Sequence, residues 1–331
     1  MSKNINFYQK YLQKFFETCF SVKNTDWYHK TITVFGIKIS ILKNEIKEKQ
    51  KESPYYYYKE NNIDITTIPS ATGKIRDIQL ANLVLLKELD YVCKQNNLTY
   101  WLDGGTLIGA VRHKGFVPWD DDIDTAMLRE DYVQIIDAFK KSSRNPDIYA
   151  DYFRTDKSPS ACYIKIQHRK CPYLFVDIFP WDYYGEILSK KEQIRRTKKI
   201  KQIAAELDSS VNISMPNEEL LPILKSTMKT KILNRTNSQE EVKGDFVWGI
   251  DYHHLWENWF TAYDVLYPIK TIEFEGYDFP CMNNPDAFLT RLYGNYMDYP
   301  KKLGRGHSMY MDIPDEEKEI IKDLVKEAQL S

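Results

Sequence analysis

No apolar run in this chain approaches the ~18 residues that a membrane-spanning helix needs, and the N-terminus lacks the hydrophobic stretch of a secretory signal. Charge of either sign is not in excess either: 46 Lys and Arg stand against 47 Asp and Glu, a formal net charge of −1. The chain therefore carries no global field that would gather nucleic acid, and no nucleic-acid partner is expected. Cysteine is scarce. Cys19, Cys93, Cys162, Cys171 and Cys281 are odd in number and show no CxxC spacing. That pattern excludes a disulfide framework and a zinc site, and fits reduced, packed thiols in the cytoplasm. Internal repeats are missing, and the one biased tract is the short tyrosine run Tyr55–Tyr58. The expected location is cytoplasmic, with peripheral contact at the inner face of the membrane the one addition considered.

Aromatic residues are plentiful, at 14% with 24 Tyr and 7 Trp, and 331 residues suffice to bury a full core. The first 70 residues read as a separate appendage. Phe7, Tyr11, Phe15 and Phe16 mark a helix over residues 5 to 21, and residues 31 to 42 alternate as a β-hairpin turning at Gly36. This piece reads first as a solvated appendage, since Glu45, Glu48 and Glu52 dilute its positive charge, with peripheral membrane contact through it as the alternative. A catalytic domain over residues 71–331 follows. Ile75, Ile78, Leu85, Leu86, Leu89 and Val92 form a helical stripe interrupted by Asn82. Short strands are expected at residues 98 to 102, 122 to 127, 148 to 154, 162 to 168 and 174 to 179. A helical insertion spans residues 189–263, broken near Met215-Pro216, and a mixed C-terminal part ends in an amphipathic helix from Pro314.

Chemistry concentrates between residues 101 and 132. Gly104 and Gly105 close the first strand, and four aspartates occupy five positions at Asp120, Asp121, Asp122 and Asp124. Carboxylates packed this closely repel one another, and divalent cations turn that repulsion into attraction. Positions two apart share a strand face, so Asp122 and Asp124 present their carboxylates together while Ile123 points inward. Pro118-Trp119 puts Asp120 in the loop. The glycines let backbone amides of Gly105 and Thr106 approach a phosphate, with the Thr106 hydroxyl as a further donor. Asp177 is the third acid, because a charge within Leu174–Pro180 is costly unless paired or metal-bound. Arg112, Lys165, Arg305 and His307 are candidate partners of phosphate oxygens. The equipment is that of phosphoryl transfer assisted by two ions, magnesium or manganese.

These residues resemble a family. Residues 104 to 132, GGTLIGAVRHKGFVPWDDDIDTAMLREDY, look like the signature of the LicD/fukutin phosphotransferases, and the likeness continues in VDIFPWD at residues 176 to 182. It returns at residues 272 to 276, Pro280, residues 293 to 297, Pro300 and His307. The resemblance implies an α+β, nucleotidyltransferase-like fold: a small mixed β-sheet flanked by helices. It implies transfer of a phospho-alcohol, foremost phosphocholine from CDP-choline, to a hydroxyl of a cell-surface glycan such as lipopolysaccharide, capsule or teichoic acid. The partners are then a CDP-alcohol donor and a glycan or lipid-linked glycan acceptor. Gly104 and Gly105 match the donor-phosphate turn, Asp122 and Asp124 the metal pair, and Asp177 the third acid. Thr106 stands where many nucleotidyltransferases have Ser. A choline cation calls for an aromatic pocket, for which Trp119, Trp181, Tyr183 and Trp248 are the candidates. The alternatives are phosphoethanolamine, glycerol phosphate or ribitol phosphate as the group moved, a true nucleotidyltransferase, and a non-catalytic glycan- or partner-binding protein.

Overall fold

A computed structural model describes residues 20–24, 29–34, 37–42, 54–155, 158–233, 244–252, 258–300 and 313–330. The chain divides into two units, Met1–Asn62 and Ile63–Ser331. In the first, strands β1 (Phe20–Asn24), β2 (His29–Val34) and β3 (Ile37–Leu42) form an antiparallel sheet in that order. The expected hairpin is present. Phe20 and Ser21, expected to end a helix, instead begin a strand that pairs with β2, and residues 5–19 lie outside the described residues. Helix α1 (Pro54–Glu60) completes this unit.

The second unit opens on α2 (Gly73–Asn96), whose Ile78, Leu85, Leu86, Leu89 and Val92 are buried at helical spacing. It stops at Asn97, a left-handed cap at φ 53° whose N–H donates to the Cys93 carbonyl. Then come β4 (Tyr100–Leu102), α3 (Gly104–His113) and β5 (Asp124–Leu128). A single helical turn, Arg129–Tyr132, and α4 (Ile135–Ser142) come next. Strands β6 (Ile148–Thr155), β7 (Ser158–His168) and β8 (Cys171–Tyr183) follow, then α5 (Lys190–Ser210) and α6 (Asn217–Thr227), separated at Pro216. The segment expected as a helical insertion also carries β9 (Phe246–Trp248) and β10 (Phe260–Thr261), apolar strands that extend the sheet edge. A hairpin of β11 (Lys270–Phe274) and β12 (Tyr277–Cys281) turns at Glu275-Gly276, both at positive φ. Helices α7 (Pro285–Tyr293) and α8 (Asp315–Leu330) end the chain.

The main sheet runs β10-β9-β8-β5-β4, with β7 also on β8 and β6 on the far side of β7. Among the described residues, only β5 and β8 of this sheet pair parallel; the other pairs are antiparallel. The result is the expected α+β arrangement, a mixed sheet flanked by helices. Its register matters for chemistry: Asp124 neighbours Asp177 across the parallel pair, and Lys165 neighbours Asp177 on the other side. Three charged residues thus lie in one row across adjacent strands. Cys93, Cys162, Cys171 and Cys281 are buried and free. Among the described residues no helix is long and apolar enough to cross a membrane.

Candidate active site

The turn from β4 into α3 is built around missing side chains. Asp103 caps the helix, its Oδ1 accepting the Gly104 N–H at 2.8 Å, and Gly104 sits at φ +52°. A Cβ on Gly104 would run into the Asp124 carboxylate, and one on Gly105 would lie 2.8 Å from Asp120 Oδ2. Glycine is needed here so that carboxylates and backbone can approach each other. The Gly105 N–H donates to Asp124 Oδ2 at 3.3 Å. Thr106, expected as a hydroxyl donor facing phosphate, is buried, and its Oγ1 accepts the Asp124 N–H at 2.8 Å. It fixes the start of β5 instead of lining the cavity.

The strand begins at Asp124, so Asp122 belongs to the irregular segment before it rather than to the strand face expected from sequence. Buried side chains of α2 hold that segment. Gln79 Nε2 donates to the carbonyls of Asp120 (2.7 Å) and Val117 (3.3 Å). Asn82 Nδ2 donates to the Asp121 carbonyl at 2.7 Å, while Asn82 Oδ1 accepts the Phe175 N–H of β8 at 3.0 Å. Glu275, at the hairpin tip, accepts the Phe116 N–H (3.0 Å) and pairs with Arg76 (2.6 Å). Asp120, Asp122 and Asp124 thereby converge on a cavity of about 320 Å³, lined also by Gly105, Arg112, Trp119, Tyr293, Tyr296 and Asp298.

Burial first, then mutual repulsion among neighbouring aspartates, pushes the carboxyls of Asp120 and Asp124 well above the usual range. Asp177 adds to the effect at Asp124, against which the Gly105 amide acts. Burial raises Asp103 to about 6, opposed by its bond to the Gly104 amide. The Tyr293 hydroxyl is likewise raised by burial and by the same acids. Arg112 is lowered to about 10 by burial, and its Nη1 donates to the Tyr296 carbonyl at 2.6 Å. Among the described residues no three His, Cys, Asp or Glu side chains stand as a preassembled metal-ligand group. Asp177, the expected third acid, neighbours Asp124 across the parallel strand pair, and its Oδ1 lies 2.7 Å from the buried Lys165 ammonium. What faces the cavity is a hard, all-oxygen set in Asp120, Asp122 and Asp124, whose repulsion a divalent cation would relieve.

Residues 97–207, from the cap of α2 through nearly all of α5, match the family described as LicD/FKTN/FKRP, nucleotidyltransferase domain. The lipopolysaccharide cholinephosphotransferase LicD of Haemophilus influenzae is 30% identical over 254 residues, 68% of this chain and 92% of that protein. The chain belongs to the LicD/FKTN/FKRP family. A further relative, the ribitol 5-phosphate transferase FKRP of Homo sapiens, is 27% identical over 99 residues, 30% of this chain and 20% of its own length. Both named relatives are transferases of phosphorylated alcohols. The LicD-family match contains the glycine turn and every acid of the cluster, whereas Tyr293 and Asp298 of the cavity lie beyond it.

Within this LicD-family chain the other expected site residues divide clearly. Arg112 and Trp119 line the cavity; the Arg112 guanidinium lies 5.9 Å from the Trp119 ring, which stacks on Tyr299 at 6.2 Å. Lys165, expected at the donor phosphates, is enclosed by Phe153, Tyr163 and Phe175 and is engaged by Asp177. Trp181 and Trp248, expected in a choline pocket, are core residues packed on each other and on Phe288. Tyr183 packs on Phe246 and accepts the Gly244 N–H, so it too serves the fold. Arg305 and His307 lie outside the described residues. Asp182 pairs with Arg129, which also holds Asp251, both at 2.6 Å. Asp103, Asp120, Tyr293, Gln79 and Asn82 were not singled out from sequence as parts of the site. The available signal was a polar Gln or Asn inside an apolar helical stripe, and an Asp directly before two glycines.

Proposed function

We propose that this chain transfers a phospho-alcohol, foremost phosphocholine, from a CDP-alcohol to a hydroxyl of a cell-surface or lipid-linked glycan, releasing CMP. The observation that carries this reading is the convergence of Asp120, Asp122 and Asp124 on a helix start kept free of side chains. A diphosphate needs positive charge and close backbone on its oxygens, and this corner offers a place for both. Asp122 and Asp124, joined by Asp120, would hold one or two magnesium or manganese ions. Such an ion supplies the charge that steadies the diphosphate and its leaving oxygen.

The protein's own groups supply the rest. The first turn of α3 and Arg112 receive phosphate oxygens. The acceptor's hydroxyl oxygen attacks the β-phosphorus, the bond to the bridging oxygen breaks, and that oxygen leaves on CMP. The hydroxyl proton passes to a carboxylate of the cluster. Asp177, compensated by Lys165, acts through the field it sets at Asp124. Trp119, Tyr293, Tyr296 and Asp298 give the cavity the aromatic and anionic lining that a quaternary ammonium favours.

The test offers CDP-choline, CDP-ethanolamine, CDP-glycerol and CDP-ribitol with magnesium, and follows CMP release with and without acceptor glycans. CDP-choline is expected to turn over fastest, and Asp124→Asn to lower that rate by about 10²-fold or more. Four intact donors in the presence of acceptor would sink the proposal, as would pyrophosphate release from CTP.

A further inference from the structure

Helix α5 carries its charges in the order that its own dipole disfavours. Between Lys190 and Lys201 stand seven basic residues, Lys190, Lys191, Arg195, Arg196, Lys198, Lys199 and Lys201, and one acid, Glu192. The positive end of a helix dipole lies at the N-terminus, where anions are favoured and cations are not. Glu192, bound to Ser189 in the capping box, also feels Arg195 and Arg196, but it is one acid against seven bases. Gln193, Thr197 and Ile200 face the body of the protein, so the helix sorts Lys190, Lys191, Arg195, Lys198 and Lys199 onto exposed positions. Among the described residues no carboxylate lies within ion-pair distance of these five; Arg196, half-buried, meets Glu186 at 3.8 Å. Just before the helix, Ile187 is 73% exposed. Among the described residues, packing gives no reason for that concentration of cations in a chain of net charge −1.

We infer that the exposed face of Lys190, Lys191, Arg195, Lys198 and Lys199, with Ile187 beside it, docks on an anionic lipid bilayer. Lysine and arginine meet lipid phosphates, and an exposed aliphatic side chain at the rim enters the acyl boundary. A single-stranded nucleic acid would call for stacking platforms, and residues 185–201 contain no aromatic side chain. This surface goes beyond the transfer reaction and holds whichever alcohol is moved. It places membrane contact on α5, where the sequence pointed to residues 1–70.

The experiment sediments the full chain with vesicles of phosphatidylcholine alone and with phosphatidylglycerol added. Binding is expected only with the anionic lipid, and is expected to weaken with salt. Combining Lys191→Glu, Arg195→Glu, Lys198→Glu and Lys199→Glu should lower partitioning about tenfold or more. The same variant should melt at the wild-type temperature or above it, since acids suit the start of α5. Ile187→Asp should weaken the part of the binding that survives high salt. The inference fails if the wild-type chain ignores anionic vesicles, binds neutral ones equally, or loses nothing on charge reversal. Capture by heparin without vesicle binding would also overturn it, in favour of a polyanion.

Discussion

At Asp103 a carboxylate serves as helix cap in a place where burial disfavours its charge. Its carboxyl sits near 6 in the folded chain, against an ordinary value of about 3.9. The neutral form is the one that folding prefers. Its contribution is therefore full below pH ~4 and is lost as pH rises through about 6. Asp103→Asn keeps a capping oxygen and removes the titration. Melting curves should show the variant gaining roughly 2–3 kcal/mol on the wild type at about pH 8, and almost nothing at about pH 4. A gap independent of pH would contradict the assignment. Gly105→Ala separates activity from stability in another way. Alanine is the better helix former by about 1 kcal/mol, which offsets the shift its Cβ forces on Asp120, so melting should move little. The added methyl lands 2.8 Å from Asp120 Oδ2, and CMP release should fall by about 10²-fold. Undiminished turnover would mean that the turn need not be bare. The acids around these positions were legible in the sequence because a run of like charges has few structural uses. Trp181 and Trp248 were not separable from Trp119 by the same means. A tryptophan looks alike in sequence whether it fills a core or walls a cleft, and only packing decides.

The elements divide along the same physical line. Strands with strong alternation or apolar runs, β6 to β8, and helices with regular stripes, α2 and α8, were readable because local pattern and burial agree. Strand β1 had been read as the end of a helix, and β9 and β10 as part of a helical insertion. Each is short and takes its strand state from pairing, β1 with β2, β9 with β8 and β10 with β9. Asn82 shows where pattern carries hidden information. It breaks the stripe of α2, yet it is 1% exposed and joins the acidic segment to β8 through two hydrogen bonds. Asn82→Ala should lower stability by about 2–3 kcal/mol, read from the urea midpoint, because two buried backbone groups lose their partner. Turnover per folded molecule should drop as well, since the carboxylates lose their anchor. Stability loss with unchanged turnover would reduce Asn82 to a core residue.

For the whole molecule, fold and chemistry meet where one parallel strand pair interrupts an otherwise antiparallel sheet. There Asp124 and Asp177 become neighbours, the α3 start faces the acids, and α7 brings Tyr293 over them. That junction was only half visible in the sequence, which named the acids and Lys165 but matched the lysine to donor phosphates rather than to Asp177. LicD-family membership supports phospho-alcohol transfer, and the products of the proposed reaction are its most direct test. Phosphorus NMR of the full chain with CDP-choline, magnesium and a glycan acceptor should show the diphosphate signals give way to CMP and a new phosphodiester. Asp122→Asn should leave the donor unchanged over the same period. A diphosphate that persists with acceptor present, or free phosphocholine with no phosphodiester on the glycan, would contradict transfer.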